Sequence, residues 1–567
     1  MAADNRTSNS LAYATARVSY PTNLASAEDI RKFVDLEAEK RIRAIQTLQE
    51  DIAHLYELQN AFSPVNRLPN ELLGQVFSYL KGPGGENGDL IDATHVCRHW
   101  RAVATNDSKL WSSFALHSSL GVEECLARSR NLPISLSLVK PPDPASAKLL
   151  EQATHRVRNL YVAIPEARAI EVLLSTIRNT APLLEELHVK HLHWSPLDEP
   201  QRKRGRPVRI GEPPLLYSER ADFPSLRSLI LHDVPPFFLP TASLEHLELH
   251  MNAKSGPGFT RSHSLPPLSR LLDILENCPR LRELDLAGQC DMTNTIVARE
   301  QPVTLANLSS MSLMVQPATA TASILSHLAL PQTVNLHIKS NLLLGEFFGD
   351  VMSTLTPLSP ALHWTEGLRR LQLTWGTYPY RLEAHRDPND FACPPALDCH
   401  VRCRNLLADL GNDLGHVSSF LNGWTTAINT SNVEELVLSY DAAHGTFEVP
   451  YQLPVAQWSS LLRALPNLKS LRVIGLETPS AATLMQALGR VGTEVHCPKL
   501  ETLEWMYVKI DAWRDLWDIA VARSAGEQST ETFKKLELFS CSGLQLRGTE
   551  WERLFNVLGV ELGVDED

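Results

Sequence analysis

The sequence predicts a mixed α/β protein: an N-terminal helix and a three-helix module, followed by an irregular α/β solenoid. Three observations carry this reading. Residues 28–62 hold a heptad-like apolar pattern, residues 64–111 crowd three short amphipathic stretches together, and the pattern L-x-x-L-x-L returns along the remainder of the chain. The 567 residues allow several domains, and 43% hydrophobic with 21% charged residues is ordinary for a globular protein.

Residues 1–27 are polar and small, without a sustained period, and are expected to be disordered. They contain no apolar core of a signal peptide, and no stretch of the chain has the length of a membrane span. In 28–62, Val34, Ala38, Ile45, Leu48, Ile52, Leu55 and Phe62 follow one seam, interrupted by Arg41 and Gln59. Two readings stay open for this helix: it folds back on the module that follows, or it dimerises the protein as a short coiled coil.

In the module, Leu68, Leu72, Leu73, Val76, Phe77 and Leu80 lie at helical spacing, with Pro69 suited to a first helical turn and Glu71 near the positive end of the dipole. After a Gly-rich loop, Leu90, Ile91, Val96, Cys97, Trp100 and Val103 predict a second helix. Leu110, Trp111 and Phe114 form a third apolar patch. So small a unit buries little surface alone, and its aromatics suggest a face completed by another protein.

The order Leu68-Pro69, Glu71-Leu72-Leu73, Phe77-Ser78-Tyr79-Leu80, Asp89-Leu90, Val96-Cys97-Arg98, Trp100-Arg101 and Leu110-Trp111 resembles an F-box. The loop KGPGGENGD is longer and richer in glycine than that family's usual turn. The resemblance implies an F-box domain over 63–118 that docks on the Skp linker protein of a cullin-containing SCF ubiquitin ligase. By the resemblance and by apolar spacing, Leu68, Pro69, Leu72, Phe77, Leu80 and Trp100 are expected to carry Skp binding.

From 119 to 567 the unit is an amphipathic helix, a proline or polar residue, and L-x-x-L-x-L, as in TAPLLEELHV, DFPSLRSLIL, NCPRLRELDL, ALPNLKSLRV and HCPKLETLEW. Its last two leucines alternate on a strand and point into a core, so stacked units build a parallel sheet with helices on one side. The array resembles a leucine-rich repeat, departing from it by lacking a regular Asn or Cys after the strand. The outward strand positions are then the candidate target-binding surface. They include Glu186, His188, Ile230, His232, Glu248, His250, Glu283, Asp285, Arg370, Arg472 and Glu504. The row is acidic on balance, without the arginine cluster that reads phosphate, so an unmodified or basic protein segment is the expected target.

Two insertions are expected, at about 194–214 and 376–431. The first holds Arg202, Lys203, Arg204 and Arg206. Arg204-Gly205-Arg206-Pro207 matches the core of an AT-hook, and the readings are a solvated basic loop, a nuclear import signal or a minor-groove contact. The net charge of −12 argues against a protein built mainly for nucleic acid. In the second insertion Cys393, Cys399, His400 and Cys403 fit no zinc spacing, and no cofactor or metal is expected. Nine scattered cysteines suit reduced thiols in the cytoplasm or nucleus. No phosphate loop, nucleophile elbow or H-E-x-x-H occurs, and the twenty histidines are scattered, so the chain is expected to be an adaptor and not an enzyme.

Overall fold

The computed structural model describes residues 18, 26–165, 169–192, 223–234, 236, 242–251, 264–290, 301–342, 365–387, 393–403, 420–441, 453–508, 519, 534–541 and 561–564, with breaks of one to four residues inside several of them. The basic segment Arg202–Arg206 lies outside the described residues, as do nearly all of 1–25 and 404–419. The chain divides into two compact units, Met1–Val157 and Arg158–Asp567. The first therefore runs well past the expected module boundary at 118.

In the first unit, helix α1 spans Ala27–Ala61, and Ser26 caps it by accepting from the Asp29 N–H. Along its predicted seam Val34, Ile45, Ile52 and Leu55 are exposed. Helix α2 (Asn70–Ser78) starts just after Pro69, with Glu71 in its first turn. The predicted second helix is in fact two, α3 (Gly88–Val96) and α4 (Arg98–Asn106). Cys97 separates them in an extended conformation, and its Sγ accepts from the Trp100 N–H. Leu110 and Trp111 follow in a turn, and Phe114 begins the sheet structure on strand β1 (Ser113–Ala115). Strand β1 pairs in parallel with β2 (Ile134–Leu138) across helix α5 (Ser119–Arg128). Helix α6 (Pro144–Ala153) is capped by Asp143, whose carboxylate accepts from the Ala145 and Ser146 N–H groups. The unit continues past 118 because its core does. Trp111 is buried and donates to the Ala104 carbonyl at 2.7 Å. The Arg128 guanidinium covers its ring at 4.4 Å.

The second unit is a mostly parallel sheet. Its first strands are β3 (Val157–Ile164), β4 (Glu186–His191), β5 (Ser228–His232), β6 (His246–His250), β7 (Glu283–Cys290), β8 (Ser310–Gln316) and β9 (Asn335–Leu342). These neighbour one another in chain order. The order then changes. Strands β10 (Arg370–Gly376), β11 (Tyr380–His385) and β12 (Leu397–Cys403) turn back, so that β9 pairs with β12, β12 with β11 and β11 with β10. Strand β11 is antiparallel to both its neighbours. From β10 the parallel ladder resumes through β13 (Glu435–Asp441), β14 (Ser470–Ile474), β15 (Thr502–Met506), β16 (Lys535–Phe539) and β17 (Glu561–Val564).

This corrects the reading of 376–431 as an insertion. Its first part supplies two strands that complete the sheet, because Tyr380, Leu382 and Ala384, then Leu397, Cys399 and Val401, alternate into the core.

Each rung repeats one construction. The L-x-x-L-x-L leucines are buried, as in Leu184, Leu187 with Val189, or Leu468, Leu471 with Val473. One carbonyl before the strand accepts two successive N–H groups of the next rung: Glu185 from Arg227 and Ser228, and Lys469 from Glu501 and Thr502. After the strand, Asp233, Gly475, Tyr507 and Ser540 take positive φ at one equivalent position. There the Gly475 N–H donates to Met506 and the Tyr507 N–H to Phe539, which carries the ladder round the corner. Helices α7 (Leu268–Glu276), α8 (Ala318–Ser326), α9 (Val455–Arg463) and α10 (Thr478–Leu488) precede strands of this sheet. On α7 the apolar face Leu268, Leu271, Leu272 and Leu275 is buried.

Candidate functional site

The helical module separates its apolar residues into two sets. Leu73, Phe77, Leu90, Ala93, Val103 and Ala104 are buried and form its core. Leu72 and Val76 on α2 and Tyr79 at its C-cap are exposed, Tyr79 to 80%, and Ile91 and Val96 are exposed on α3. Of the six residues expected to dock Skp, Pro69 and Leu72 are exposed, and Leu68, Leu80 and Trp100 are half-buried. Phe77 is 0% exposed, so it belongs to the core and not to a docking face. Helical spacing identified the apolar positions of α2 but could not say which the neighbouring helices cover. Val76 and Tyr79 were thereby missed as surface residues, although they continue Leu72 at i+4 and i+7.

On the sheet, side chains stand in rows that cross the strands from β3 to β16 on the face opposite the leucines, with Val437 buried among its neighbours. One row is fixed by register as Tyr161, His188, Ile230, Glu248, Asp285 and Ser312, and it continues through His337, Asp398, Glu383, Gln372, Val437, Arg472, Glu504 and Glu537. Glu186 and Glu283 sit in the adjoining row toward the strand starts, and His232 and His250 in the row toward the strand ends. All the predicted target-surface residues lie on this face, but Arg370 is only 6% exposed. It sits 3.7 Å from Glu435 and is covered by its neighbours, so it contributes to the sheet and not to an open surface.

The half of the face from β4 to β7 is rich in imidazole. The His232 ring stacks on His250 at 4.9 Å and meets His188 edge-on at 5.1 Å. Glu248 Oε1 lies 2.6 Å from His232 Nε2 and 3.2 Å from His250 Nδ1. On its other side, His250 Nε2 is 3.1 Å from Asp285 Oδ1, close enough for an ion pair though not aligned as a hydrogen bond. Contact with Asp285 raises the His250 imidazole above its ordinary range, against the effect of burial. Burial, reinforced by the nearby His232, lowers His188 to about 4. His246 Nδ1 meets Glu283 Oε2 at 2.8 Å.

The half from β9 to β16 is built from ion pairs. Arg381 spans Asp398 with contacts of 3.0 and 3.2 Å and reaches Glu383 at 2.8 Å. His400 lies 3.2 Å and His337 3.6 Å from the same Asp398 carboxylate. Burial pushes the Glu383 carboxyl above the usual carboxylate range. Arg472 is paired with Glu504 across β14 and β15. The sequence reading missed Asp398, Arg381 and Glu383 because it placed them in an insertion. The alternation in YRLEAH and LDCHVRC was the signal that they stand on strands. Cys399 and His400 point to opposite faces of β12 and do not converge as ligands; Cys399 is buried, which pushes its thiol up to about 12.

The family of F-box-like domains matches residues 65–117, which coincide with the three-helix module and the turn and strand after it. The chain therefore carries an F-box-like domain, beside a mixed α/β unit with a large, mostly parallel sheet. No curated protein matches the chain. Among the described residues, no helix is long and apolar enough to cross a membrane.

Proposed function

We propose that the chain is a substrate-recognition adaptor of an SCF-type ubiquitin ligase. It binds Skp, and through it a cullin, by the F-box-like domain, and binds a protein target on the outward face of the sheet. The observation that supports this best is the F-box-like match over 65–117 together with the uncovered apolar row Leu72, Val76 and Tyr79. An aliphatic–aromatic row of that kind suits the buried centre of a protein interface. The recurring rung supports a leucine-rich-repeat-like solenoid, whose outward face is an extended binding surface. In this reading the chain works in the cytoplasm or nucleus and contributes effective concentration, while the ubiquitin chemistry belongs to other subunits.

The target reading follows from charge. Arg381 and Arg472 are held by carboxylates within the face, whereas Glu186 and Glu283, although they meet Asn159 and His246, remain exposed. A basic, unmodified protein segment complements such a surface better than a phosphorylated one.

Affinity capture of the full-length protein beside Leu72→Asp tests the assignment. Skp and cullin are expected with the wild type and absent with the variant, while target proteins stay with both. Skp without cullin marks a scaffold outside the ligase, and undiminished Skp capture by the folded variant overturns the docking face.

A further inference from the structure

The imidazole-rich half of the sheet brings together three groups that the chain alone does not require to meet. His232, Glu248 and His250 place one donor atom each within 4.8 Å of one another, on the adjacent strands β5 and β6. Their positions are set by backbone register: His232 and His250 are direct partners, and Glu248 lies two residues before His250 on the same face. All three are half-buried.

We propose that His232, Glu248 and His250 form a binding site for a divalent cation of the zinc class, with three protein ligands and a fourth position open to the outward face. Two neutral imidazoles and one carboxylate are a donor set that zinc accepts in sites where a coordination position stays free. The groups behind the ligands fit as well. A ligating imidazole is commonly held by a carboxylate at its other nitrogen, and Asp285 lies against His250 Nε2 while Nδ1 faces Glu248. The His232 ring meets His188 edge-on and lies parallel to His250, so one imidazole has to turn to bring both in-plane nitrogen lone pairs onto a single ion. With ligand bonds near 2.0–2.1 Å, tetrahedral donors stand about 3.3 Å apart. The His250–Glu248 separation of 3.2 Å already suits this, and the His232–Glu248 hydrogen bond has to open to let the cation in. The site goes beyond the ligase reading and does not depend on it. On a target-binding face, its open position would take a water or a nitrogen, oxygen or sulfur donor from the bound segment.

The test uses the full-length protein after chelator treatment, titrated with zinc chloride by calorimetry, with thermal unfolding followed with and without zinc. One zinc per chain and a zinc-dependent rise in Tm are expected for the wild type. His232→Ala, His250→Ala and Glu248→Gln are each expected to abolish the high-affinity event. Asp285→Asn, which removes only the group behind His250, should weaken it by about 10–100-fold. His337→Ala, beside Asp398, should leave it unchanged. Far-UV circular dichroism without zinc identifies any variant that loses its fold, and Glu248→Gln keeps the side-chain shape if a histidine replacement does not fold. Cobalt bound in place of zinc should show visible d–d bands without thiolate charge transfer. Absence of binding to the folded wild type, equal affinity in the folded ligand variants, or a thiolate-ligated cobalt spectrum overturns the proposal.

Discussion

Trp100 donates its indole N–H to the Asn66 side-chain oxygen across 2.6 Å, tying α4 to the short 3-10 turn Pro64–Arg67 ahead of α2. The same ring stands edge-on to Phe77 with centroids 5.2 Å apart. One tryptophan thus closes the module from both sides. Asn66→Ala leaves the half-buried indole N–H without this acceptor and also removes the Asn66 amide donor to the Asn60 carbonyl, and a loss of about 1–2 kcal/mol is expected. Urea unfolding followed by tryptophan fluorescence measures it; an unshifted midpoint would show that these hydrogen bonds contribute nothing.

Phe77 on α2 and Tyr79, which caps the helix two residues on, face core and solvent respectively. Phe77→Ala is expected to cost about 3–5 kcal/mol and to unfold much of the module. Tyr79→Ala should change stability by no more than about 0.5 kcal/mol. It should nevertheless weaken capture of Skp under the proposed function. The contrast is read from paired denaturation and pull-down measurements, and equal stability losses for the two variants would contradict the division between core and surface.

The leucine frames were legible because L-x-x-L-x-L binds local sequence to burial: Leu187, Leu229 and Leu284 fall inside as their spacing requires. Glu248 and His250 were legible as outward residues for the same reason. Their convergence with His232 was not, because it depends on which strands are neighbours, and residues 16 and more apart become contacts only through register. The hairpin β11–β12 was missed because strand alternation without leading leucines resembles a polar loop in composition. The break at Cys97 was missed because Val96, Trp100 and Val103 keep helical spacing across it.

Gly475 has φ +66°, and a Cβ built there would stand 2.7 Å from the Tyr440 carbonyl oxygen. Gly475→Ala therefore combines left-handed strain of about 1–2 kcal/mol with a backbone clash. A destabilisation of at least about 2 kcal/mol is expected in thermal or urea unfolding. At the equivalent corner Tyr507 is 65% exposed with φ 56°, and Tyr507→Gly is expected to be neutral or mildly stabilising. An undiminished stability of Gly475→Ala, or a marked destabilisation by Tyr507→Gly, would remove the argument that left-handed strain at this corner favours glycine.

Asp398 sets an acid limit on the sheet. Burial works against its charge, but the His337 contact, the Arg381 fork and His400 outweigh burial and hold its carboxyl below the usual range. A carboxyl depressed on folding contributes stability above its unfolded pKa, about 4, and the contribution is lost as pH falls toward the folded value. Unfolding free energy should therefore decline below about pH 4, with a shallower decline in Asp398→Asn. Parallel pH slopes in the two proteins would show that the depression belongs to other groups.

Glu186 and Glu283 are exposed on the proposed target face. Replacing both with lysine is expected to slow association with a basic target and to reverse its salt dependence, leaving Skp capture intact. Retention of the target with unchanged kinetics would move the binding site off this face.

The return of the chain through β11 and β12 has a consequence for how the sheet assembles. Strands β3–β9 can zip together in the order of synthesis, each on the one before, and so can β13–β16. Strand β10 cannot dock on β9, because two places between them, about 14 Å from β9 to β10 at ordinary strand spacing, are filled only by residues that come later. The two runs therefore meet only once β11 and β12 are in place between them. The two runs are joined through the seven-residue pairing of β12 with β9 and the pairing of β11 with β10, so their union depends on residues that follow both β9 and β10 in the chain.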